Sequence, residues 1–331
     1  MTAISPANTI SAMIPEVFSK KLARQNKQYT RFIERNCNRN WEGNITGFGD
    51  VVNIALPKAD NISVAITSGT TDVCPVAAGV TADNLKLTIN NVATFSMKFS
   101  DTEQAQSQFN LLDGYGALAM QKLGDLKDKQ VMKYVINKVV TAGTNLIGTA
   151  AAPQAVTKDD IYDYVVDLAV ILTEAGALNG DGYYTFAGNE EEPEYLAPVL
   201  TVTPKIFGLM LKSTQLTHPT AAGDEVVKRG EQSMMGGFEI DKNTVLAKFT
   251  STDITGLKSG AQICIASTKM ATTYANQLTK VEKLRDPDCF ADIVRGIELY
   301  GFEVIHPEAA AVAFFSVGAA TPTPPTPGGN S

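Results

Sequence analysis

VEKLRDPDCFADIVRGIELYGFEVIHPEAAAVAFFSV, residues 281–317, is the stretch from which the fold is read. Apolar residues alternate across Ile297 and Leu299, and again across Tyr300, Phe302 and Val304, with Gly301 where the two faces exchange. Period-two alternation puts successive side chains on opposite faces of a half-buried strand, and a glycine at the exchange predicts a β-bulge there. The same alternation recurs upstream, over Val51–Leu56, at Ile62, Val64 and Ile66, at Leu85, Leu87 and Ile89, and at Phe95, Met97 and Phe99. Residues 48–100 thus read as a long antiparallel, hairpin-like excursion around a turn-rich stretch at 68–84.

Between these strand regions the period becomes helical. Over 101–142, Asp101 is placed as an N-cap, and Leu112, Tyr115, Ala119, Leu123 and Leu126, then Met132, Val135, Ile136 and Val139, form one apolar stripe. Gly114, Gly116 and Gly124 each weaken that helix by up to about 1 kcal/mol relative to alanine and predict a bend. A second helix is predicted from Thr157, in the capping signature Thr157-Lys-Asp-Asp160, to Ala175 before Gly176. Val199–Val202 and Ile263–Ala266 read as buried strands and 204–212 as a short helix. The run 181–195 reads as a solvated acidic loop, 218–237 as loop, and TPTPPTPGGNS near the end as an extended, flexible tail.

The stretch KKLARQNKQYTRFIERNCNRNW, residues 20–41, carries seven basic side chains and one acid, although the chain's formal net charge is -7. On a helical wheel Phe18, Leu22, Tyr29, Phe32 and Ile33 share one face, and Lys20, Arg24, Lys27, Arg31 and Arg35 the other. Such an arm is a core helix with a solvated back, or a helix that grips a neighbour. The acidic balance of the whole argues against a coat of nucleic acid, while leaving a local basic arm possible.

At 331 residues and 44% hydrophobic content the chain can build about two domains. Cys37, Cys74, Cys264 and Cys289 lie far apart with no zinc spacing, which fits reduced thiols in a cytoplasmic setting. The first residues lack a signal-peptide pattern, and the longest apolar run, 309–320, is too short to span a bilayer. With no export expected, the sequons at Asn44 and Asn61 carry little weight. His218 and His306 each precede a proline with no partner at metal or catalytic spacing, and the sequence holds no phosphate loop or nucleophile elbow. Gly114-Tyr-Gly116-Ala-Leu-Ala119 matches a dinucleotide fingerprint in letters only, because polar, helix-period residues precede it where a buried strand is required. Acid pairs at Asp159/Asp160 and Asp286/Asp288 fall at helix starts and turns. No catalytic residue, cofactor or metal is expected.

Size then argues for assembly. A compact monomer of this length has a radius of gyration of roughly 20 Å. A helix over 101–142 would run about 60 Å, and each leg of the 48–100 excursion on the order of 50 Å. A two-stranded apolar ribbon is not stable alone in water, so such a subunit is expected to be completed by copies of itself.

The order of these parts resembles a known family. An amphipathic arm precedes Trp41-Glu-Gly43-Asn-Ile45 and Gly49-Asp50-Val-Val52-Asn-Ile54; a long hairpin, a long helix and a mixed domain follow. The chain then closes with V-E-x-x-R-x-x-x-x-F-x-D-x-V-x-G-x-x-x-Y-G-x-x-V-x-x-P-E-A over 281–309. Over residues 10–317 this is similar to the major capsid proteins of tailed bacteriophages with the Hong Kong 97-type fold. The resemblance implies an α+β subunit with an N-arm at 1–47 and an extended β-hairpin E-loop at 48–100. It further implies a peripheral domain with a spine helix at 101–150 and 271–308, a mixed α/β axial domain at 151–270 and 309–317, and a Pro/Thr tail at 318–331. Its implied work is an icosahedral shell of pentamers and hexamers around double-stranded DNA, in a virion assembled in the bacterial host cytoplasm.

On that reading Phe18, Leu22, Arg24, Arg31, Phe32 and Arg35 of the arm, and Val64, Ile66, Leu85 and Leu87 of the E-loop, are the expected contacts between subunits. Protein is favoured over DNA as the arm's partner, because its apolar face needs burial that phosphate cannot supply. Fewer than 50 residues precede the hairpin, so a separate scaffolding protein is expected beside a portal. Some relatives join an E-loop lysine to a neighbour's asparagine; Lys58 and Lys86 are available, but the turn Arg285-Asp-Pro-Asp288 offers no asparagine, and no such crosslink is expected. The alternative on the same fold is an encapsulin-like shell around an enzyme cargo. Deleting residues 1–35 is expected to leave a soluble protein that no longer closes shells.

Overall fold

A computed structural model describes residues 31–39, 41, 51–57, 82–101, 111–176, 198–213 and 234–317. The quoted stretch forms its longest hairpin: β11 (Thr272–Arg285) and β12 (Ala291–Val304) are antiparallel, from Thr272 opposite Val304 to Arg285 opposite Asp292. At 14 residues per strand, each leg spans about 46 Å. β4 (Asn91–Ser100) pairs with the other edge of β12, and the two-residue β1 (Cys37–Asn38) pairs in parallel with the start of β11, giving the order β1-β11-β12-β4.

Two sequence expectations change here. Phe95, Met97 and Phe99 belong to β4 and hence to this sheet, so the two-stranded ribbon is shorter than 48–100: it consists of β2 (Val51–Pro57) and β3 (Ala82–Thr88). The register shift also falls in β11, between Leu278 and Lys280, while Gly301 stays in register opposite Ala275. Gly301 answers a different need. A Cβ there would stand 2.5 Å from the Thr88 carbonyl oxygen and 2.6 Å from Ile89 Cδ1, so only glycine lets the ribbon's base lie directly on the sheet. That contact closes a small core of Ile54, Leu87, Ile89, Ala275, Leu299 and Ile305, with Trp41, Val52 and Leu85 against it. The base of the ribbon is therefore covered by its own chain, against the expectation that a neighbour must cover it.

On the opposite face of this sheet lies α2 (Leu111–Ala142), 32 residues and about 48 Å long. It runs unbroken through Gly114, Gly116 and Gly124. Met120, Leu123, Val131, Met132, Val135, Ile136 and Val139 face inward. Tyr115 and Leu126, placed by periodicity in that apolar stripe, are 53% and 65% exposed; the buried stripe is carried by Met120 and Leu123 and then by two charged residues, Lys127 and Asp128.

The second sheet collects β5 (Leu146–Ile147), β6 (Gln154–Val156), β7 (Val199–Val202), β8 (Met234–Met235), β9 (Phe238–Lys242), β10 (Gln262–Ser267) and β13 (Ala310–Val317). Its order is β5-β13-β10-β7-β9-β8, with β6 also on β13. β13 is buried from Ala310 to Phe315, because it lies between strands on both sides under α3 (Ile161–Glu174). α3 starts four residues after Thr157: the Thr157 hydroxyl donates to Asp160 Oδ2 at 2.6 Å, closing a turn before the helix. Gly176, at φ +74°, follows its end. α4 (Pro204–Met210) packs beside α3.

Candidate functional site

Of the basic arm, the described residues are Arg31–Arg39 and Trp41, and α1 (Arg31–Asn36) with β1 is built into the junction of the two sheets. Phe32 and Ile33 are 1% and 0% exposed. Beneath them Asp128 of α2 accepts the Phe32 N–H on Oδ2 at 3.2 Å and the Ile33 N–H on Oδ1 at 3.4 Å. Burial pushes the Asp128 carboxyl up to about 7, against the opposing pull of those N–H groups and of Lys127. Asn36 closes the other side: its amide donates to the Phe32 carbonyl at 3.2 Å and to Thr201 Oγ1 at 3.3 Å, and its Oδ1 accepts from Ser267 at 2.7 Å. β1 continues onto β11. Eight residues thus touch α2, the first sheet and the second sheet.

This placement corrects two of the expected contacts. Phe32 was assigned to a neighbour, but a side chain 1% exposed within its own chain has no surface left to offer. Leu87, at 0%, is likewise spent on the small core beneath the ribbon. Leu85 packs at the edge of that core. Arg35 reaches Asp241 at 3.7 Å in its own chain; burial raises the Asp241 carboxyl, and Arg35 opposes it. Arg31 is exposed. Phe18, Leu22, Arg24, Val64 and Ile66 lie outside the described residues. Asp128, Asn36 and the Lys127–Glu298 pair were missed. Their signal was a charged pair, Lys127-Asp128, on the apolar side of a helical period, where solvated residues do not belong.

Among the described residues, several outward surfaces remain. Along α2, Tyr115, Leu118, Leu126 and Val140 form an exposed stripe, 53%, 53%, 65% and 39% accessible. On the ribbon's side of the first sheet, beyond the ribbon's base, Thr94, Ser96, Lys280, Glu282, Arg295 and Ile297 line a shallow depression of about 370 Å³. Arg295 donates to Glu282 at 2.8 and 3.1 Å, and Lys280 with Arg295 holds the Glu282 carboxyl below its ordinary range. At the β11–β12 tip, Arg285 pairs with Asp101 through both nitrogens and with Asp292 at 3.2 Å, Lys283 pairs with Asp292 at 2.9 Å, and Lys98 pairs with Asp286. The Arg285 pair lowers Asp101, and Lys98 lowers Asp286. This brace ties the ends of three strands beneath Phe290, which is 84% exposed.

Chemistry of other kinds finds little purchase among the described residues. Cys37 and Cys264 are buried thiols pushed far up by desolvation, the opposite of an activated nucleophile. His306 Nδ1 sits 2.9 Å from Glu308 and lowers that carboxyl. Gly114–Ala119 lie inside α2 and not at a strand-to-helix turn, so the dinucleotide reading falls. No group of three His, Cys, Asp or Glu could hold a metal among these residues, and no described helix is long and apolar enough to cross a membrane.

The fold is similar to that of solved phage capsid structures. A structure from Mycobacterium phage Che8 superposes with a TM-score of 0.60 at 18% identity, over 84% of this chain and 88% of that one. The capsid of cyanophage P-SCSP1u does so at 0.58 and 14%, over 82% and 85%. The mature capsid of bacteriophage PhiM1 gives 0.54 and 14%, over 82% and 83%. At such identities the likeness is one of fold. No protein-family profile matches the chain, and no curated protein matches it in sequence.

Proposed function

We propose that this protein is the major capsid subunit of a bacteriophage, a structural rather than a catalytic protein that assembles with copies of itself into an icosahedral shell around double-stranded DNA. The observation that carries the reading is the extent of the likeness: each of the three phage structures matches over more than four-fifths of both chains. The exposed stripe on α2 supports it, since four large apolar side chains on one helix face are better hidden against another subunit than left in water.

Within this reading residues 1–47 are an N-arm anchored at its C-terminal end by α1, and β2–β3 with the residues between them are the E-loop. α2 is the spine helix of a peripheral domain over 101–150 and 271–308, to which β4 adds an edge strand. The second sheet belongs to an axial domain over 151–270 and 309–317. Phe18, Leu22 and Arg24, with Val64 and Ile66, stay as contacts between subunits in pentamers and hexamers. A scaffolding protein and a portal are the expected helpers, DNA meets the inner face without sequence preference, and the location is the virion.

The decisive experiment is electron microscopy of the expressed protein, alone and after deletion of residues 1–30. That deletion replaces one ending at residue 35, which would also remove Phe32 and Ile33 from the core. Closed shells from the full chain and dispersed, folded subunits from the truncated one are expected. A full chain that stays monomeric at high concentration would overturn the reading, and shells purified with one enriched protein cargo and no DNA would point to an encapsulin-like compartment.

A further inference from the structure

Between α2 and the first sheet three side chains meet that assembly does not require. Lys127 of α2 and Glu298 of β12 are each 1% exposed, with the lysine nitrogen 3.0 Å from Glu298 Oε1 and 2.9 Å from Oε2. Asn276 of β11 stands diagonally across the strand pair from Glu298, two residues off its register partner Leu278, and donates its amide nitrogen to the same Oε1 at 2.7 Å. An amine and a carboxyl group, both buried, and a half-buried carboxamide are thus gathered in one place, with one carboxyl oxygen touching both nitrogens.

We propose that this triad is a self-modification site, at which Lys127 and Asn276 condense to an isopeptide bond that covalently ties α2 to β11 within one chain. Glu298 first takes a proton from the Lys127 ammonium, leaving a neutral amine. The Nζ lone pair attacks Asn276 Cγ to give a tetrahedral centre. Glu298 then shuttles the protons that Nζ sheds to Nδ2, the Cγ–Nδ2 bond breaks, and nitrogen leaves as ammonium with Glu298 again a carboxylate. One C–N bond forms and one breaks, no oxidant or co-reactant is needed, and the chain loses one ammonia.

Each requirement of that step has a counterpart on the page. A lysine attacks only as the free amine, and burial pulls the Lys127 ammonium down from its ordinary value, against the pull of Glu298 in the other direction. In a site of low dielectric a proton passes from ammonium to carboxylate at far lower cost than in water. General acid–base catalysis needs one group within hydrogen-bond reach of both the nucleophile and the leaving group, and Glu298 Oε1 reaches Nζ and Nδ2 at once. Nζ and Nδ2 are held by one oxygen and are no farther apart than those two hydrogen bonds laid end to end, so the encounter is intramolecular. Unlike the E-loop crosslink discussed above, this bond lies within one subunit and stands independently of the capsid reading.

The test is intact-mass spectrometry of the purified, denatured full chain, followed by tryptic mapping. The expected result is a mass lower than the sequence mass by one ammonia and a branched peptide joining the Lys127 and Asn276 segments, with the bond after Lys127 resistant to trypsin. Glu298→Gln and Lys127→Arg should each restore the full mass and the linear peptides. A wild-type chain of full sequence mass overturns the proposal, as does an ammonia loss that maps to peptides lacking Lys127. A Glu298→Gln chain that still links overturns the role given to the glutamate. Neither readout depends on whether shells form, so failure here and failure of the capsid reading are separable.

Discussion

Midway along the β11–β12 hairpin Glu298 meets Lys127 with both side chains 1% exposed, whereas at its tip Arg285 meets Asp101 and Asp292 with half of its side chain in solvent. Both are short, well-formed ion pairs, yet burial gives them opposite character. In the dry pair each charge depends on the other, because neither has water to fall back on, so the pair is costly to break from one side. In the wet cluster every partner has hydration as an alternative, so the pairs shape the tip more than they stabilise it. The dry end fixes the helix to the sheet; the wet end holds three strand ends in position while leaving their surface free.

The sharpest way to break this contrast is Lys127→Met. It removes the lysine from Glu298, whether held by charge or by the amide bond proposed above, and leaves the buried carboxyl with Asn276; this is expected to cost about 3–5 kcal/mol, read as a lower urea midpoint. Combining it with Glu298→Leu should recover much of the loss; a single variant as stable as wild type would refute the dry-end account. Next in size, Phe32→Ala empties a site under α1 and should cost about 3 kcal/mol, together with faster hydrogen exchange of the Phe32 and Ile33 amides. Unchanged protection would mean that α1 is not held by its own core.

The two ends also respond oppositely to pH. Burial holds the Asp128 carboxyl up to about 7 from an ordinary 3.8. Across that window the unfolded chain has released a proton that the folded chain keeps, so the Asp128 contribution to stability falls as pH rises from about 4 to about 7 and is flat above. Asp128→Asn should remove that slope from denaturation midpoints measured across this range. The tip works the other way: Asp101 and Asp286 are lowered by Arg285 and Lys98, so their contribution is present above about pH 4 and lost as acid protonates them through their lower folded values. The smallest effect is Arg285→Ala at neutral pH. It should leave the urea midpoint unresolved from wild type while making the Pro287–Phe290 turn more susceptible to proteolysis.

The strands of the quoted stretch were legible because period-two alternation is a local property; β12, β13 and the last five residues of β11 fall within it, whereas Thr272–Lys280 of β11 was not read as strand. The Val199–Val202 strand, a continuous apolar run, and the short helix that starts at Pro204 were also legible from local sequence. Periodicity failed where it had to choose a face. Tyr115 and Leu126 fit the helical stripe as well as Met120 and Leu123 do, and only the packed sheet decides which pair is covered. Gly301 was visible as a special position, but its reason, the approach of the Thr88 carbonyl, comes from a residue more than two hundred positions away. Of the arm's apolar face, Phe32 and Ile33 are buried. That Phe32 finds its burial beneath Asp128 of its own chain, while Phe18 and Leu22 lie outside the described residues, could not be read from the wheel.

By itself the sequence determined the kinds of element, their order, and the absence of familiar catalytic spacings, because these depend on neighbours along the chain. The tertiary structure alone decided which charges are dry, since burial is set by what packs from far away. Lys127, Asn276 and Glu298 are ordinary surface letters until α2, β11 and β12 close over them, and the chemistry of that meeting belongs to the fold.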